Sequence, residues 1–267
     1  MPIGVPLPKA FNSLEVTNMP KQKTWLEYDW QLDGRDAHFG VELSFYRTAP
    51  NEKRQFLCYF CCQTIDEHDL LPADIKHIEG IIAKCSKRIG VLPAGFIQAD
   101  DMRQYYFYTS SKQEHDELKA AAEKEKKYIC RVGGKIEEDW ATYFQLLYPD
   151  DMKYQTVKNR EQLEKMRKKG DNLEASRRIN LHVAFRTEQQ RLVFEEAARR
   201  AGFAIGSAEY HSDFELPHGA VLYRISSLKT NEIDSVTIQA IKTAHRMNGR
   251  LLYWDCNIVP RSVTKRI

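Results

Sequence analysis

The chain has 267 residues, a net charge of +3, and 42% hydrophobic and 29% charged residues. This composition is typical of a globular protein with room for two domains of ordinary size, and it argues against a disordered chain. No apolar run reaches the roughly 18 residues of a membrane-spanning helix, and residues 1–23 lack the apolar segment of a signal peptide. We therefore expect a cytoplasmic protein without a membrane partner.

The charge is distributed unevenly between the two halves of the chain. Residues 1–150 contain 19 Lys and Arg against 23 Asp and Glu, which gives −4, whereas residues 151–267 contain 21 against 14, which gives +7. A basic half can bind nucleic acid or an acidic protein. An ordinary solvated surface explains the same charge equally simply.

The first half predicts a flexible arm followed by alternating strands and helices. Residues 1–23 hold four prolines and no sustained period, which is typical of a flexible arm. The domain at 24–150 then has these predicted elements: strands at 25–32, 37–46 and 56–64, a helix at 72–89, a hairpin at 95–108, a helix at 111–124 and a strand at 128–132. The turn between the first two strands is Asp33-Gly34, a strong hairpin signal.

The second half, at 151–267, predicts a lead helix and then a β-α-β-β-α-β order. The predicted elements are a helix at 157–169 closed by Gly170, a strand at 179–185, a helix opened by Thr187 and Gln190, strands at 203–210 and 220–225, a helix capped by Asn231, and a strand at 251–254. This order is the split βαβ, ferredoxin-like pattern. The first half fits the same pattern with an extra hairpin, so we predict an α+β protein of two tandem domains, the C-terminal one ferredoxin-like.

Residues 24–150 resemble the domain of unknown function 695. The resemblance is carried by Trp25-x-x-Tyr28, by Asp33-Gly34, by Leu71-Pro72, and by the segment 95–108, in which Arg103 precedes an aromatic run. The resemblance assigns residues 24–150 to a domain family and implies no activity.

Residues 155–260 resemble the regulator of ribonuclease E activity, type B. The resemblance is carried by Gly170-Asp171, by Arg177-x-Ile179-x-Leu181-His182-x-x-Phe185, by Arg191-x-x-Phe194 and by Ala201-Gly202-Phe203. It implies a ferredoxin-like domain that binds a ribonuclease and inhibits it without catalysing a reaction. The family's namesake is acidic and this half is basic, so the resemblance supports the fold more strongly than the partner.

Three of the six cysteines lie close together, at Cys58, Cys61 and Cys62. On a strand, Cys58 and Cys62 share one face and Cys61 takes the other, and Cys58 lies about 10 Å from Cys61. That separation exceeds what a disulfide tolerates, and a structural zinc needs four ligands. Because the other three cysteines are isolated in the sequence, we predict packed thiols and no metal.

Two groups of polar residues in the second half are candidates for binding. Arg178, Asn180 and His182 share the polar face of the strand at 179–185, and His211, Asp213 and His218 surround the loop between the two central strands. The loop group could also be a metal site, an acid–base pair or simply an exposed hairpin. A basic sheet face is how RNA-recognition sheets bind, but those sheets stack bases on aromatic rings, and this strand has none on its polar face.

No glycine-rich phosphate loop, serine nucleophile elbow or zinc-protease helix occurs in the sequence. This absence, together with what the resemblance of residues 155–260 implies, leads us to expect a non-catalytic binding or regulatory protein without a cofactor, whose partner is a protein such as a ribonuclease. Two alternatives remain open. One is an enzyme with its site between the domains, using His182, His211 or His218 with nearby carboxylates, and the other is an RNA-binding module.

Overall fold

The computed structural model describes residues 25–261, so the predicted flexible arm at 1–23 lies outside the described residues. The chain divides into two compact units, Met1–Tyr148 (unit 1) and Pro149–Ile267 (unit 2). Each unit has helices and its own antiparallel sheet, so the predicted α+β class is confirmed. Within residues 25–261, no helix is long and apolar enough to cross a membrane.

Unit 1 is built on a six-stranded sheet. Its strands are β1 (Trp25–Leu32), β2 (Arg35–Glu42), β3 (Phe56–Thr64), β4 (Gly95–Ala99), β5 (Met102–Thr109) and β6 (Tyr128–Ile136). Its helices are α1 (Pro72–Ile89), α2 (Lys112–Lys124), a short 3-10 helix (Leu43–Arg47) and a short π-helix (Thr142–Leu147). The strands lie in the order β1-β2-β4-β5-β3-β6.

Local signals explain where most elements of unit 1 begin and end. Asp33 and Gly34 both have positive φ, 52° and 79°, as a two-residue hairpin turn requires. Helix α1 begins at Pro72 and is followed by Gly90 in the left-handed conformation, with φ of 67°. The predicted strand at 37–46 is wrong at its end. The Glu42 carboxylate accepts a hydrogen bond from the Ser44 amide and caps the 3-10 helix there.

Unit 2 has a lead helix and a four-stranded sheet. The elements are α3 (Asp151–Lys168), β7 (Arg177–Phe185), α4 (Glu188–Arg200), β8 (Ala204–Tyr210), β9 (His218–Ser226), α5 (Thr230–His245) and β10 (Arg250–Cys256). The strands lie in the order β10-β7-β9-β8, and each neighbouring pair is antiparallel. After α3, the order of elements along the chain is the predicted β-α-β-β-α-β.

The two sheets share one strand order. In unit 1, β3, β4, β5 and β6 are arranged as β6-β3-β5-β4, which matches β10-β7-β9-β8 of unit 2 position by position. The β1–β2 hairpin adds two strands to the sheet of unit 1 beyond β4. Unit 1 is therefore the same arrangement of strands with an extended sheet.

Two predicted helix starts in unit 2 are wrong, and one is confirmed. Helix α3 begins well before residue 157, because the Asp150 carboxylate accepts hydrogen bonds from the amides of Met152 and Lys153. Asn231 does not cap α5, which begins at Thr230 without a side-chain cap. The predicted capping box at Thr187 and Gln190 is present at the start of α4.

Helices cover one face of the sheet in unit 2. The predicted core residues of β7 are Ile179, Leu181, Val183 and Phe185; all four are buried, as predicted, and form one core with residues of α3, α4 and α5. The ring of Phe185 lies 4.8 Å from that of Phe194 in α4. The alternate side chains of β7 therefore point to the other face of the sheet.

A buried ion pair just before and at the start of β7 binds the segment that follows β10, and we term it the C-terminal clasp. Asp171 Oδ2 accepts hydrogen bonds from Arg177 Nη1 at 2.6 Å and from the Val259 amide at 2.8 Å. Arg177 Nη1 also donates to the Asn257 carbonyl at 3.1 Å. Asp171 and Arg177, which help to carry the family resemblance, are thus a structural pair. They hold the segment after β10 against the segment before β7.

The cysteines of β3 are packed side chains, as predicted. Cys58 and Cys62 lie in the core of unit 1, and Cys61 is buried on the other face of the strand. Burial raises the pKa of Cys58 to about 12 and, as the largest cause, that of Cys61 to about 11. Cys130 is not isolated in space, which corrects the interpretation from the sequence. It lies opposite Cys62 on β6, with their Sγ atoms 2.9 Å apart.

Candidate functional site

The face of the unit 2 sheet opposite the helices carries a mixed polar and aromatic surface, which we term the open face. It is formed by side chains from three neighbouring strands: Arg178, Asn180 and His182 of β7, Tyr223 and Ile225 of β9, and Tyr253 and Asp255 of β10. Asn180 lies opposite Tyr223 on one side and Asp255 on the other, and His182 lies opposite Tyr253. The antiparallel register therefore brings the three predicted residues of β7 into one surface with four residues that are distant in sequence.

Asp255 connects two of the predicted residues on the open face. Asn180 Nδ2 donates to Asp255 Oδ1 at 2.8 Å, and His182 Nε2 lies 2.7 Å from Asp255 Oδ2 in a second hydrogen bond. The His182 ring also stacks on Tyr253, with 4.1 Å between centroids and 16° between planes. The side chain of His182 is consequently only 17% exposed, less than expected for a polar face.

Arg178 is held over an aromatic ring on the open face. Its guanidinium carbon lies 3.7 Å from the centroid of Tyr223, a cation–π contact, and its Nε donates to Asn180 Oδ1 at 2.8 Å. The strand β7 itself has no aromatic residue on this face, as the sequence indicated. The neighbouring strands supply Tyr223 and Tyr253, which sequence reasoning did not find.

The open face combines charge with exposed apolar area. Ile225 is 63% exposed and Tyr253 is 54% exposed, beside a half-exposed Asp255. Burial raises the pKa of Tyr253 above its ordinary value, and the negative charges of Asp255 and Glu209 raise it further. The Tyr253 hydroxyl is protonated at neutral pH, as an ordinary tyrosine is, and can donate a hydrogen bond. Exposed aromatic and aliphatic groups beside Arg are typical of protein–protein contacts.

Among the described residues, the predicted loop residues form no hydrogen bond or ring contact with the three predicted residues of β7. His218 lies opposite Phe185, whose side chain is in the core, so register places His218 on the helix-covered side of the sheet. His211 Nε2 lies 3.6 Å from Glu209, and Asp213 accepts a hydrogen bond from Ser212. The structure thus separates the six predicted residues into two groups of three. The same loop region exposes the aromatic rings of Tyr210 and Phe214, which the sequence analysis missed.

The three candidate catalytic histidines have separate surroundings. His182 contacts Tyr253 and Asp255, whereas the rings of His211 and His218 lie near Phe214 and Tyr210 respectively. Within residues 25–261, none of the three histidines forms a hydrogen bond with another of them. In the same part of the chain, no group of three or more His, Cys, Asp or Glu side chains is arranged to hold a metal ion.

Comparison with known families confirms both resemblances found in the sequence. Residues 156–256 match the family described as Regulator of ribonuclease activity B (RraB), and residues 23–148 match DUF695, a family of unknown function. No curated protein matches the chain. The crystal structure of an unknown protein from Galdieria sulphuraria matches at 10% identity over 77% of this chain and 98% of that chain. Its TM-score is 0.20, which is too low to support an inference.

Proposed function

Because the chain joins a DUF695 domain to a domain of the RraB family, we propose that it is a non-catalytic regulatory protein that acts by binding another protein. The open face of unit 2 is the proposed contact surface, and the observation that carries the proposal is its composition. Tyr253 and Ile225 supply exposed apolar area on either side of the fixed polar groups of β7, a composition expected of a protein contact surface.

Several contacts favour a rigid surface of this kind. Arg178, Asn180 and His182 are each held by a neighbour on the open face. Side chains that are already ordered lose less conformational entropy on binding than free ones do. A partner would therefore meet a preformed pattern of donors and rings.

A protein partner fits the open face better than RNA does. The ring of Tyr223 is covered by Arg178, and one face of Tyr253 is covered by His182, so neither ring offers two free faces to a base. The carboxylate of Asp255, beside Asn180 and His182, adds negative charge to the surface, which repels phosphate. RNA binding is accordingly the second candidate, favoured only by the presence of the two tyrosines.

We propose a ribonuclease as the partner, because the RraB family is described as a regulator of ribonuclease activity. The net charge of +7 over residues 151–267 favours an acidic surface on that partner. Binding would then depend on salt concentration, since exposed charges are screened over roughly 8 Å at physiological ionic strength.

The test is capture of a ribonuclease by the tagged full-length chain from the source cell extract, followed by RNA cleavage assays with the captured enzyme. Tyr253→Ala and Arg178→Glu should each weaken capture and inhibition at least about tenfold, because central aromatic and Arg residues carry most interface energy. Arg200→Glu is the matched control. This variant reverses an exposed charge on α4, away from the open face, and should retain both ribonuclease capture and inhibition.

Three results would contradict the proposal. Failure to capture any ribonuclease would contradict the proposal that the partner is a ribonuclease. Equal effects of Arg178→Glu and Arg200→Glu on capture would contradict the proposal that the open face is the contact surface. Tight binding of a single-stranded RNA oligonucleotide in fluorescence anisotropy, lost in Arg178→Glu, would support the RNA-binding alternative instead.

A further inference from the structure

Two free thiols face each other across a pair of strands in unit 1. Cys62 of β3 and Cys130 of β6 are directly opposite in the antiparallel register, and their Sγ atoms lie 2.9 Å apart in a thiol–thiol hydrogen bond. Opposite residues of an antiparallel pair have Cα atoms about 4.5–5.5 Å apart, inside the range of about 4.4–6.8 Å that disulfides show. The two strands therefore already have the spacing that a disulfide requires.

The register excludes the other two cysteines of β3 as partners of Cys130. Cys61 is on the opposite face of the strand and lies opposite Arg131 of β6. Cys58 shares the face of Cys62 but is four residues away, which is about 13 Å along a strand. The Cys62–Cys130 pair is thus specific among the cysteines of the sheet.

The two thiols of this pair differ in their access to solvent. Cys62 is 0% exposed, whereas Cys130 is only partly buried. Strand β6 pairs with β3 alone among the described strands, so Cys130 lies on an edge of the sheet. The hydrogen bond with Cys130 and, after it, burial raise the pKa of the Cys62 thiol, which therefore stays protonated at neutral pH. A reagent in solution consequently reaches Cys130 first.

We propose that Cys62 and Cys130 form a reversible redox site, at which a small-molecule disulfide oxidises the two thiols to a disulfide bond between β3 and β6. The proposal concerns the DUF695 domain and is independent of the open face of unit 2. It assigns a modification site to a domain whose family description leaves the function open.

The oxidation consists of two thiol–disulfide exchange steps. The Cys130 thiolate attacks one sulfur of the small disulfide, which forms a mixed disulfide and releases one small thiolate that takes up the proton lost by Cys130. The Cys62 sulfur then attacks Sγ of Cys130, and the second small thiolate leaves with the proton of Cys62. The two protein thiols together lose two electrons, and the small disulfide is reduced to two thiols.

The position of the pair favours a bond that is both reversible and stabilising. Exposed disulfides are reduced more readily than structural disulfides in a core, and Cys130 is on an edge strand. The bond would close a loop that contains α1, β4, β5 and α2. Closing a long loop restricts the unfolded chain, so oxidation should stabilise unit 1.

The experiment incubates the reduced full-length chain with oxidised glutathione at neutral pH. Free thiols are then alkylated in denaturant, and disulfide-linked peptides are mapped by mass spectrometry without reduction. We expect a link between Cys62 and Cys130 that disappears after treatment with dithiothreitol. Absence of this link, a link from Cys130 to Cys85 in its place, or a link that resists dithiothreitol would overturn the proposal.

Single variants test the order of the two exchange steps. Cys62→Ser leaves the accessible thiol without its partner, so glutathione should remain attached to Cys130. Cys130→Ser leaves the buried thiol alone, so at least about tenfold less glutathione should attach to Cys62. Cys61→Ser is the matched control, because it removes the adjacent thiol on the other face of β3 and should retain the link. Equal attachment in Cys62→Ser and Cys130→Ser, or loss of the link in Cys61→Ser, would contradict the assignment.

A second measurement follows the stability of unit 1 in the same samples. Trp140 Nε1 donates to the Arg54 carbonyl at 2.8 Å, so its indole N–H signal in NMR reports the folding of this unit. Oxidation should raise the thermal midpoint of the signal by roughly 5 °C or more in the wild type and leave it unchanged in Cys62→Ser. An equal or lower midpoint in the oxidised wild type would refute a site whose strands are already spaced for the bond.

Discussion

The C-terminal clasp offers a quantitative test of how unit 2 is held together. Asp171 and Arg177 have side chains that are 0% and 4% exposed, with 2.6 Å between the bonded atoms. Asp171→Asn removes the charge that compensates Arg177 while keeping the size of the side chain. Removal of one partner from a buried ion pair costs about 3–5 kcal/mol. Because the Asn oxygen can still accept from the Val259 amide, we expect a loss near the lower end, about 3 kcal/mol.

The assay is a urea titration of the full-length chain, followed through the indole N–H signal of Trp254. Trp254 Nε1 donates to Asn159 Oδ1 at 2.8 Å inside unit 2, so its signal reports the folding of that unit alone. The matched control is Glu196→Gln, which breaks a pair with Arg199 at 2.5 Å whose side chains are at least half exposed. Exposed pairs are worth about 0–1 kcal/mol, so the control should change little.

A small effect would refute this reasoning. If Asp171→Asn lowers the free energy of unfolding by less than about 1 kcal/mol, the buried pair does not support unit 2 in the way its burial indicates. Equal losses for Asp171→Asn and Glu196→Gln would lead to the same conclusion. The Gly170-Asp171 residues would then need a role other than structural support.

Three further predictions concern acid stability, domain independence and the cysteines. The hydrogen bond from Tyr128 is the main reason why the pKa of Asp74 is lowered from 3.8 to about 2. The stabilisation by the charged Asp74 carboxylate is present above pH 3.8 and is lost as pH falls towards 2. The thermal midpoint of Asp74→Asn should therefore fall less between pH 3.8 and pH 2 than that of the wild type. The fragment 152–267 should give a cooperative thermal transition by circular dichroism, and aggregation would contradict the proposed boundary. Iodoacetamide should leave Cys58 and Cys61 unmodified at neutral pH, because burial keeps both thiols protonated, and mass spectrometry would reveal any exception.

The order of helices and strands followed from local signals that act over a few residues. Turn residues such as Asp33-Gly34 and Gly90, together with the capping residues of α4, placed element boundaries because they satisfy backbone groups locally. The start of α3 was missed, since the polar sequence after Asp150 has little helical periodicity of apolar residues to reveal it.

The composition of the open face could be predicted only in part. Arg178, Asn180 and His182 follow from the alternation along β7, which is a local property. Tyr223, Tyr253 and Asp255 join them only when β9 and β10 are placed on either side of β7 in a defined register. Such pairings are long-range and depend on the packing of the whole core, so the sequence alone did not reveal them.

A cleft of about 620 Å³ in unit 1 was also beyond prediction from the sequence. Arg103 was noted only as part of a family resemblance, and nothing in its neighbourhood along the chain indicates a cavity. The residues that line the cleft come from β1, β2, α1, the loop that follows α1, β4 and β5.

The β1–β2 hairpin also pairs with β4, which would otherwise be an edge strand of the sheet in unit 1. Strands β4 and β8 occupy equivalent places in the two sheets, and β2 pairs with β4, whereas β8 pairs with β9 alone among the described strands. A strand with one unpaired side can template the addition of a strand from another molecule. The register shift between Ile205 and Ala208 interrupts the ladder of β8, and bulges of this kind discourage edge-to-edge aggregation. The two units therefore differ at equivalent strands: the added hairpin makes β4 an interior strand and leaves β1 at the edge of unit 1, whereas β8 is itself an edge strand with an irregular ladder.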